Sequence, residues 1–187
     1  MQKIKQIKTL KSPKKHQQGF SMVDLMLWAG GLVLGIGILY GIFGPLMTTL
    51  KTHGLSSELQ TFQLKIQEVY HGQNNGYTGI SVAEVVKSSA YPTDLNVTST
   101  TLSSSSTGNI TISSDDGSGL TFSVQFDAVP SGVCRGVINK LSSAGGWSEI
   151  SVGGTSIWAG TSTNPTKAAI DTACNASSAV TMKFISN

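Results

Sequence analysis

Residues 25–47 form a run of 23 positions without a charged side chain. At about 1.5 Å of rise per residue, a helix of that length reaches about 35 Å, enough to cross the hydrocarbon core of a bilayer. No other segment is as long and as apolar, which excludes a polytopic membrane protein. Gly44-Pro45 lies near the end of the run. It is expected to weaken or kink the helix there, because proline lacks an N–H and crowds the preceding turn. The periodicity then resumes in another form. Leu55, Leu59, Phe62, Ile66 and Val69 fall at i, i+4, i+7, i+11 and i+14, one apolar stripe, with Ser57, Gln60, Gln63 and Gln67 on other faces. The pattern predicts one helix over 21–71, apolar all round in its first half and one-sided in its second. Gly72, following His71, is its stop signal.

The remaining elements are shorter. Ser81-Val82-Ala83-Glu84 fits a capping box opening a short helix to about Ser89, which Tyr91-Pro92 ends. Residues 98–107 are almost all Ser and Thr and read as a loop or a solvated strand edge. Leu120, Phe122, Val124 and Phe126 alternate with polar residues as in a half-buried strand. Val133, Val137, Ile138 and Leu141 suit a helix over 131–142. Strands are expected near 147–152 and 155–159. Asn164-Pro165 supplies an N-cap and a first-turn proline for a helix to about Ala173. Val180, Met182 and Phe184 make a final strand. The fold class expected is α+β, an antiparallel sheet packed on the C-terminal half of the long helix.

Charge settles the topology. Charged residues are only 12% of the chain, against 26 Ser, 19 Thr and 21 Gly, so a disordered chain of high net charge is excluded. The net charge of +3 averages two unlike pieces. Residues 1–19 hold six lysines (3, 5, 8, 11, 14 and 15) and no acid, leaving seven basic against ten acidic residues in the remainder. Basic residues directly before a spanning segment keep the N-terminus cytoplasmic and export the chain beyond Met47. A signal peptide removed after export has an apolar region of only about 7–15 residues. Gly35-Ile36-Gly37 is a weak match to such a cleavage site. Elsewhere the chain has one Arg (Arg135) and scattered lysines, so no nucleic-acid partner is expected.

The junction between leader and apolar run is the most specific feature. It reads Lys14-Lys15-His16-Gln17-Gln18-Gly19-Phe20-Ser21-Met22-Val23-Asp24-Leu25. A basic leader ends in glycine, a bulky apolar residue comes next, and a lone acid stands four positions later. This resembles the signal of type IV prepilins. The resemblance implies cleavage between Gly19 and Phe20 by prepilin peptidase on the cytoplasmic side, and N-methylation of Phe20. It divides the chain into a leader (1–19), a transmembrane and filament-core helix (20–50), its amphipathic continuation (51–71) and a globular head (72–187). The long leader is most like the type IVb branch, which includes conjugative-plasmid thin-pilus and bundle-forming pilins, although Phe20 is more usual in type IVa. The family nearly always has Glu at the fifth mature position, where this chain has Asp24. Gly31 and Gly35 form a small-x-x-x-small pair that lets helix backbones approach closely, as filament assembly would need.

Cys134 and Cys174, the only two cysteines, lie on the exported side and are expected to form one disulfide. Two cysteines near the C-terminus also match the pilin pattern. No His sits in a metal-ligand spacing, and Asp115-Asp116-Gly117-Ser118-Gly119 reads as a turn, since it lacks the closing Glu of a calcium loop. No cofactor, metal or catalytic residue is expected. The function expected is a structural subunit of a type IVb pilus, polymerising through its N-terminal helix for adhesion, aggregation or conjugative mating contact. Its partners would be other pilin subunits, prepilin peptidase, the inner-membrane assembly machinery and, before assembly, the bacterial inner membrane itself. The head would be periplasmic first and extracellular afterwards. The alternatives are a minor pilin, a type II secretion pseudopilin, or a membrane-anchored envelope enzyme.

Overall fold

The computed structural model of the protein describes residues 22–70, 72–115, 117, 119–160 and 163–187, and the backbone alone at 24, 35 and 39–42. The described residues fall into two compact units, one ending at Ile42 and the other covering Phe43–Asn187. Helix α1, Met22–Tyr70, contributes to both. It does not stop at Pro45, which lies inside it. The proline forgoes one backbone hydrogen bond. Close by, the hydroxyls of Thr48 and Thr49 donate to the carbonyls of Gly44 (3.2 Å) and Pro45 (3.0 Å).

In the second unit the stripe lies where its periodicity puts it. Leu55, Leu59, Phe62 and Ile66 are wholly buried and Val69 partly so. They pack on an antiparallel sheet of seven strands in the order β1-β2-β3-β4-β7-β5-β6: Asn96–Val97, Leu102–Ser103, Asn109–Ser114, Phe122–Pro130, Ala179–Ser186, Glu149–Val152 and Thr155–Ala159. β4 and β7 are its centre, and their inward residues Phe122, Val124, Phe126, Met182 and Phe184 are all fully buried. The Phe62 and Phe126 rings meet edge to face at 6.2 Å, and Phe126 meets Phe184 at 6.3 Å. Such contacts add to the apolar burial of each ring.

Three further helices complete the unit: α2 Val82–Lys87, α3 Ser131–Ala144 and α4 Lys167–Cys174. Ser81 caps α2 through its hydroxyl, as the capping box predicts. Val133, Val137, Ile138 and Leu141 of α3 are buried. Cys134 and Cys174 are bonded, joining α3 to the last residue of α4, with Cα atoms 5.8 Å apart. Closing a loop of this length stabilises a fold by about 4 kcal/mol through the entropy of the unfolded chain.

Several local expectations differ from the structure. The N-cap of α4 is Thr166, not Asn164, because the Thr166 hydroxyl reaches the Ala169 N–H at 3.2 Å. Pro165 accordingly precedes the helix. Leu120 precedes β4 instead of opening it. The Tyr77 N–H donates to the Gly119 carbonyl at 2.8 Å, holding this chain segment against the 72–80 turn. Gly76 and Gly119 permit that approach: a Cβ on Gly76 would lie 2.2 Å from the Gly119 oxygen. Residues 98–107, expected as loop or strand edge, hold the short strand β2 and the turns on either side of it. Strand β3 has no counterpart among the elements expected from the pattern.

Close packing and polar contacts seat α1 on the head. Gly132 and Gly136, one helical turn apart on α3, face Thr48 and Thr52 of α1. A Cβ on Gly136 would lie 2.6 Å from Thr52 Cγ2, and one on Gly132 2.9 Å from Thr48 Cγ2. On another face, Glu58 Oε1 accepts from the Ser104 hydroxyl at 3.0 Å, tying α1 to the Ser/Thr-rich segment. Glu58 Oε2 is buried without a partner among the described residues. Burial raises the Glu58 pKa above its usual value, with Asp94 adding to the rise and the Ser104 hydrogen bond opposing it.

Gly136→Val should force α1 and α3 apart and destabilise the head by about 1–3 kcal/mol, as overpacking does. Urea denaturation monitored by tryptophan fluorescence measures this, and Gly136→Ala should cost less. For Glu58 the sign follows from the raised folded-state pKa. The folded chain holds the proton more tightly, so this group's contribution to stability is full below the unfolded-state value and is lost as pH rises through the folded-state value. Glu58→Gln keeps an acceptor for Ser104 without the charge. The stability of Glu58→Gln relative to the native chain should therefore grow between about pH 4 and pH 7. A difference that stays constant across that range would contradict this account.

Candidate assembly helix and head surface

The first part of α1 has large apolar side chains on every side. Met22, Val23, Leu25, Met26, Leu27 and Trp28 are each more than 60% exposed, as are Val33 and Leu34. An 18-residue window of the helix has a mean hydropathy of 2.0, and among the described residues this is the helix long and apolar enough to cross a membrane. A helix apolar all round needs lipid or other helices about it. Gly30 and Gly31 interrupt the side chains. A Cβ at either would meet nothing within 4 Å, and a shallow groove of about 450 Å³ lies there between Val23, Met26, Leu27 and Leu34. Gly31 is thus an open notch. Asp24 and Gly35 lie within the helix by backbone. Gly19 and Phe20 lie outside the described residues.

The head is tied to α1 by polar contacts along its length. Gln63 Nε2 donates to the Gly146 carbonyl and to the Ser186 hydroxyl (3.0 Å), and Lys65 Nζ donates to the Tyr91 carbonyl at 2.7 Å. Gln67 Nε2 donates to the Asn187 carbonyl at 2.7 Å. None of these was legible in the sequence, because each partner is distant along the chain. The Gly132–Gly136 seam did leave a signal: a four-residue spacing places both glycines on one face of a helix.

Among the described residues, titratable groups of the head occur as partly exposed ion pairs and in one cleft beside α1. Asp115, in the segment read as a turn, pairs with Lys183. Asp116 and Ser118 of that sequence lie outside the described residues. Arg135 pairs with Asp171 at 3.4 Å with both side chains substantially exposed, an arrangement that contributes little stability. Among the described residues no three His, Cys, Asp or Glu side chains converge as a metal site. A polar cleft of about 500 Å³ beside α1 holds Glu58 and Asp94, with His53 and Lys65. The outer face of the sheet carries Ser123, Gln125, Asp127, Thr181 and Lys183, while the alternate positions of the same strands fill the core.

The fold agrees with that of a protein of known structure to which the chain is similar. The family described as PilS N terminal matches residues 50–187. No curated protein sequence matches. Among solved structures, the crystal structure of a type IV b pilin from Salmonella typhi superposes with a TM-score of 0.55 at 20% identity, covering 68% of this chain and 96% of that one. The family match begins at the C-terminal half of α1 and runs through the head, and the apolar part of the helix that precedes it fits anchoring in a membrane before polymerisation. With an apolar N-terminal helix, an antiparallel sheet and one disulfide, this chain belongs to the PilS family of type IVb pilins, the structural subunits of a pilus.

Proposed function

We propose that this subunit is made as a precursor, cut between Gly19 and Phe20 by prepilin peptidase, and polymerised through α1 into a filament. The observation that carries the reading is the helix over 22–34, with exposed apolar side chains all round and an open notch at Gly30 and Gly31. The lysine-rich leader holds the N-terminus in the cytoplasm and the head in the periplasm. The inner membrane covers the helix before assembly, and copies of the same helix cover it afterwards. N-methylation of Phe20 comes after cleavage. On this reading the assembly machinery of the inner membrane transfers the subunit from one covering to the other.

Asp24 is the charge that this transfer must accommodate. An unpaired carboxylate in a membrane helix costs about 2.5–3.5 kcal/mol on insertion scales. Cleavage creates an amine on Phe20, and Asp24 of a neighbouring subunit pairs with it. Stranding one member of a buried pair costs about 3–5 kcal/mol, which makes the pair a test of axial register. Asp is one methylene shorter than the usual Glu, and the glycines at 30, 31 and 35 allow the closer helix packing it requires. The assembled heads present a surface rich in Ser and Thr and poor in charge, suited to adhesion, aggregation or mating contact between cells.

Gly19→Val should leave an uncut precursor in the inner membrane, visible as a slower band on a gel, and remove fibres from the cell surface. Asp24→Ala should be inserted and cut yet yield no fibres, whereas Asp24→Glu should retain them. Electron microscopy of sheared fractions with N-terminal sequencing reads both. Normal processing of Gly19→Val, or abundant fibres from Asp24→Ala, would contradict the corresponding step.

A further inference from the structure

The part of α1 that belongs with the head carries a second face, opposite the buried stripe. Phe43, Leu50, Ser57 and Leu64 follow one another at seven-residue intervals, close to two helical turns, and so lie along one line. All four are exposed, as are Leu46 and Met47 beside the line. Leu64 is the member that needs an account, being 68% exposed. The uncharged run ends at Met47, and Leu64 stands 17 residues further on, about 25 Å along the helix. The headgroup layer adds only about 5–8 Å to the hydrocarbon core on each side of a bilayer, so lipid that covers the run does not reach Leu64. Between Leu50 and Leu64 the surface is low. Gly54, Ser57 and Thr61 fill the interval, and a Cβ on Gly54 would meet nothing within 4 Å. Polar groups border the face, with Gln60 on one side and the Glu58–Asp94 cleft on the other.

Apolar side chains at a seven-residue spacing are what one helix presents to another running beside it. Among the described residues, α1 is the helix that offers an exposed apolar counterpart of this kind. The face cannot meet itself within one chain, because Leu64 lies 14 residues, about 21 Å, beyond Leu50 on the same helix. We propose that the outward face of α1 from Phe43 to Leu64 is an assembly surface beyond the apolar run, on which Leu64 of one subunit packs against residues 43–50 of α1 in a neighbouring subunit. The proposal rests on the filament reading above, which already lays copies of the preceding part of this helix side by side. The occupant is the continuation of that contact along the same helix. The spacing also constrains the arrangement. With the helices parallel, Leu64 comes opposite Leu50 or Phe43 of the neighbour when the two are offset by 14 or 21 residues, about 21 or 31 Å. The knob and its seat are then different patches, so the contact is heterologous and repeats along an array instead of closing on itself.

A benzophenone amino acid placed at position 64 of the full chain tests this in assembled pili. Irradiation should give covalent dimers and higher multimers. Trypsin, cutting after Lys51 and Lys65, should join the labelled peptide 52–65 to the peptide ending at Lys51, which holds residues 43–50. A cross-link to any other peptide or to a different protein, or none in fibres that contain the labelled chain, overturns the proposal. In parallel, Leu64→Gln should reduce fibre yield roughly tenfold or more, the factor expected from losing one buried leucine. Leu64→Met should retain fibres. Gly54→Leu favours the helix but fills the low stretch of the face, and it should reduce fibre yield as well. Thermal midpoints of the purified full-length variants should match or exceed that of the native chain, which separates lost contact from lost folding. Native fibre yield from either Leu64→Gln or Gly54→Leu overturns the contact while leaving the filament reading intact. Native cells without any fibres built from this chain would overturn the filament reading and this contact together.

Discussion

The seating of one helical stripe on the centre of the sheet is the interaction on which the rest of the molecule depends. Leu55, Leu59, Phe62 and Ile66 are withdrawn from water by β4, β7 and α3, and Phe62 enters an aromatic chain that continues through Phe126 to Phe184. Burying side chains of this size stabilises a fold by about 1.5–3 kcal/mol each, before the entropy lost on ordering them is subtracted. The polar contacts of Gln63, Lys65 and Gln67 lie beside that stripe and set its register. They add specificity to a docking that apolar burial drives. The same helix therefore carries two kinds of surface, one satisfied within the chain and one that needs an outside environment.

Most of this was readable because period and composition change sharply along the chain. The stripe of α1, the alternation of β4 and β7 and the buried positions of α3 all follow from spacing alone. Strand β3 escaped because its burial rests on Ile110 and Ile112 only, set among Asn, Ser and Thr that resemble the preceding Ser/Thr run. Leu120 was misplaced because alternation takes no account of a backbone contact from a distant turn. Thr166 displaced Asn164 as a cap because both residue types suit the role, and only the position of the Ala169 N–H decides between them. The junction at Gly19 and Phe20 was readable as a motif and lies outside the described residues, so its chemistry rests on the sequence.

The partner of Glu58 shows a different limit. A lone glutamate on a helix reads as solvated, and nothing in its neighbourhood announces that a serine 46 residues away will meet it. Once the fold brings Ser104 to it, one oxygen is satisfied and the other is not. Part of the stability of this region then depends on the proton available to a single carboxylate. The Ser/Thr-rich segment, which reads as featureless, is in fact anchored to the helix at one defined point.

Consider the disulfide as a mechanical part. Cys134 lies between Gly132 and Gly136, the two α3 residues that touch Thr48 and Thr52 of α1. A pull along α1 is handed to α3 at that seam, where the grip is steric and can slip. From Cys134 onward the load passes through a covalent bond to α4, and from α4 through a short turn into β7 at the middle of the sheet. Tension thus reaches the central strand by two routes, one through packed side chains and one through sulfur. The β5–β6 hairpin and α4, enclosed by the bond, stay attached even if the packing beneath them loosens. A fibre built from such heads would tend to yield at the helix seam before the segment enclosed by the bond unravels.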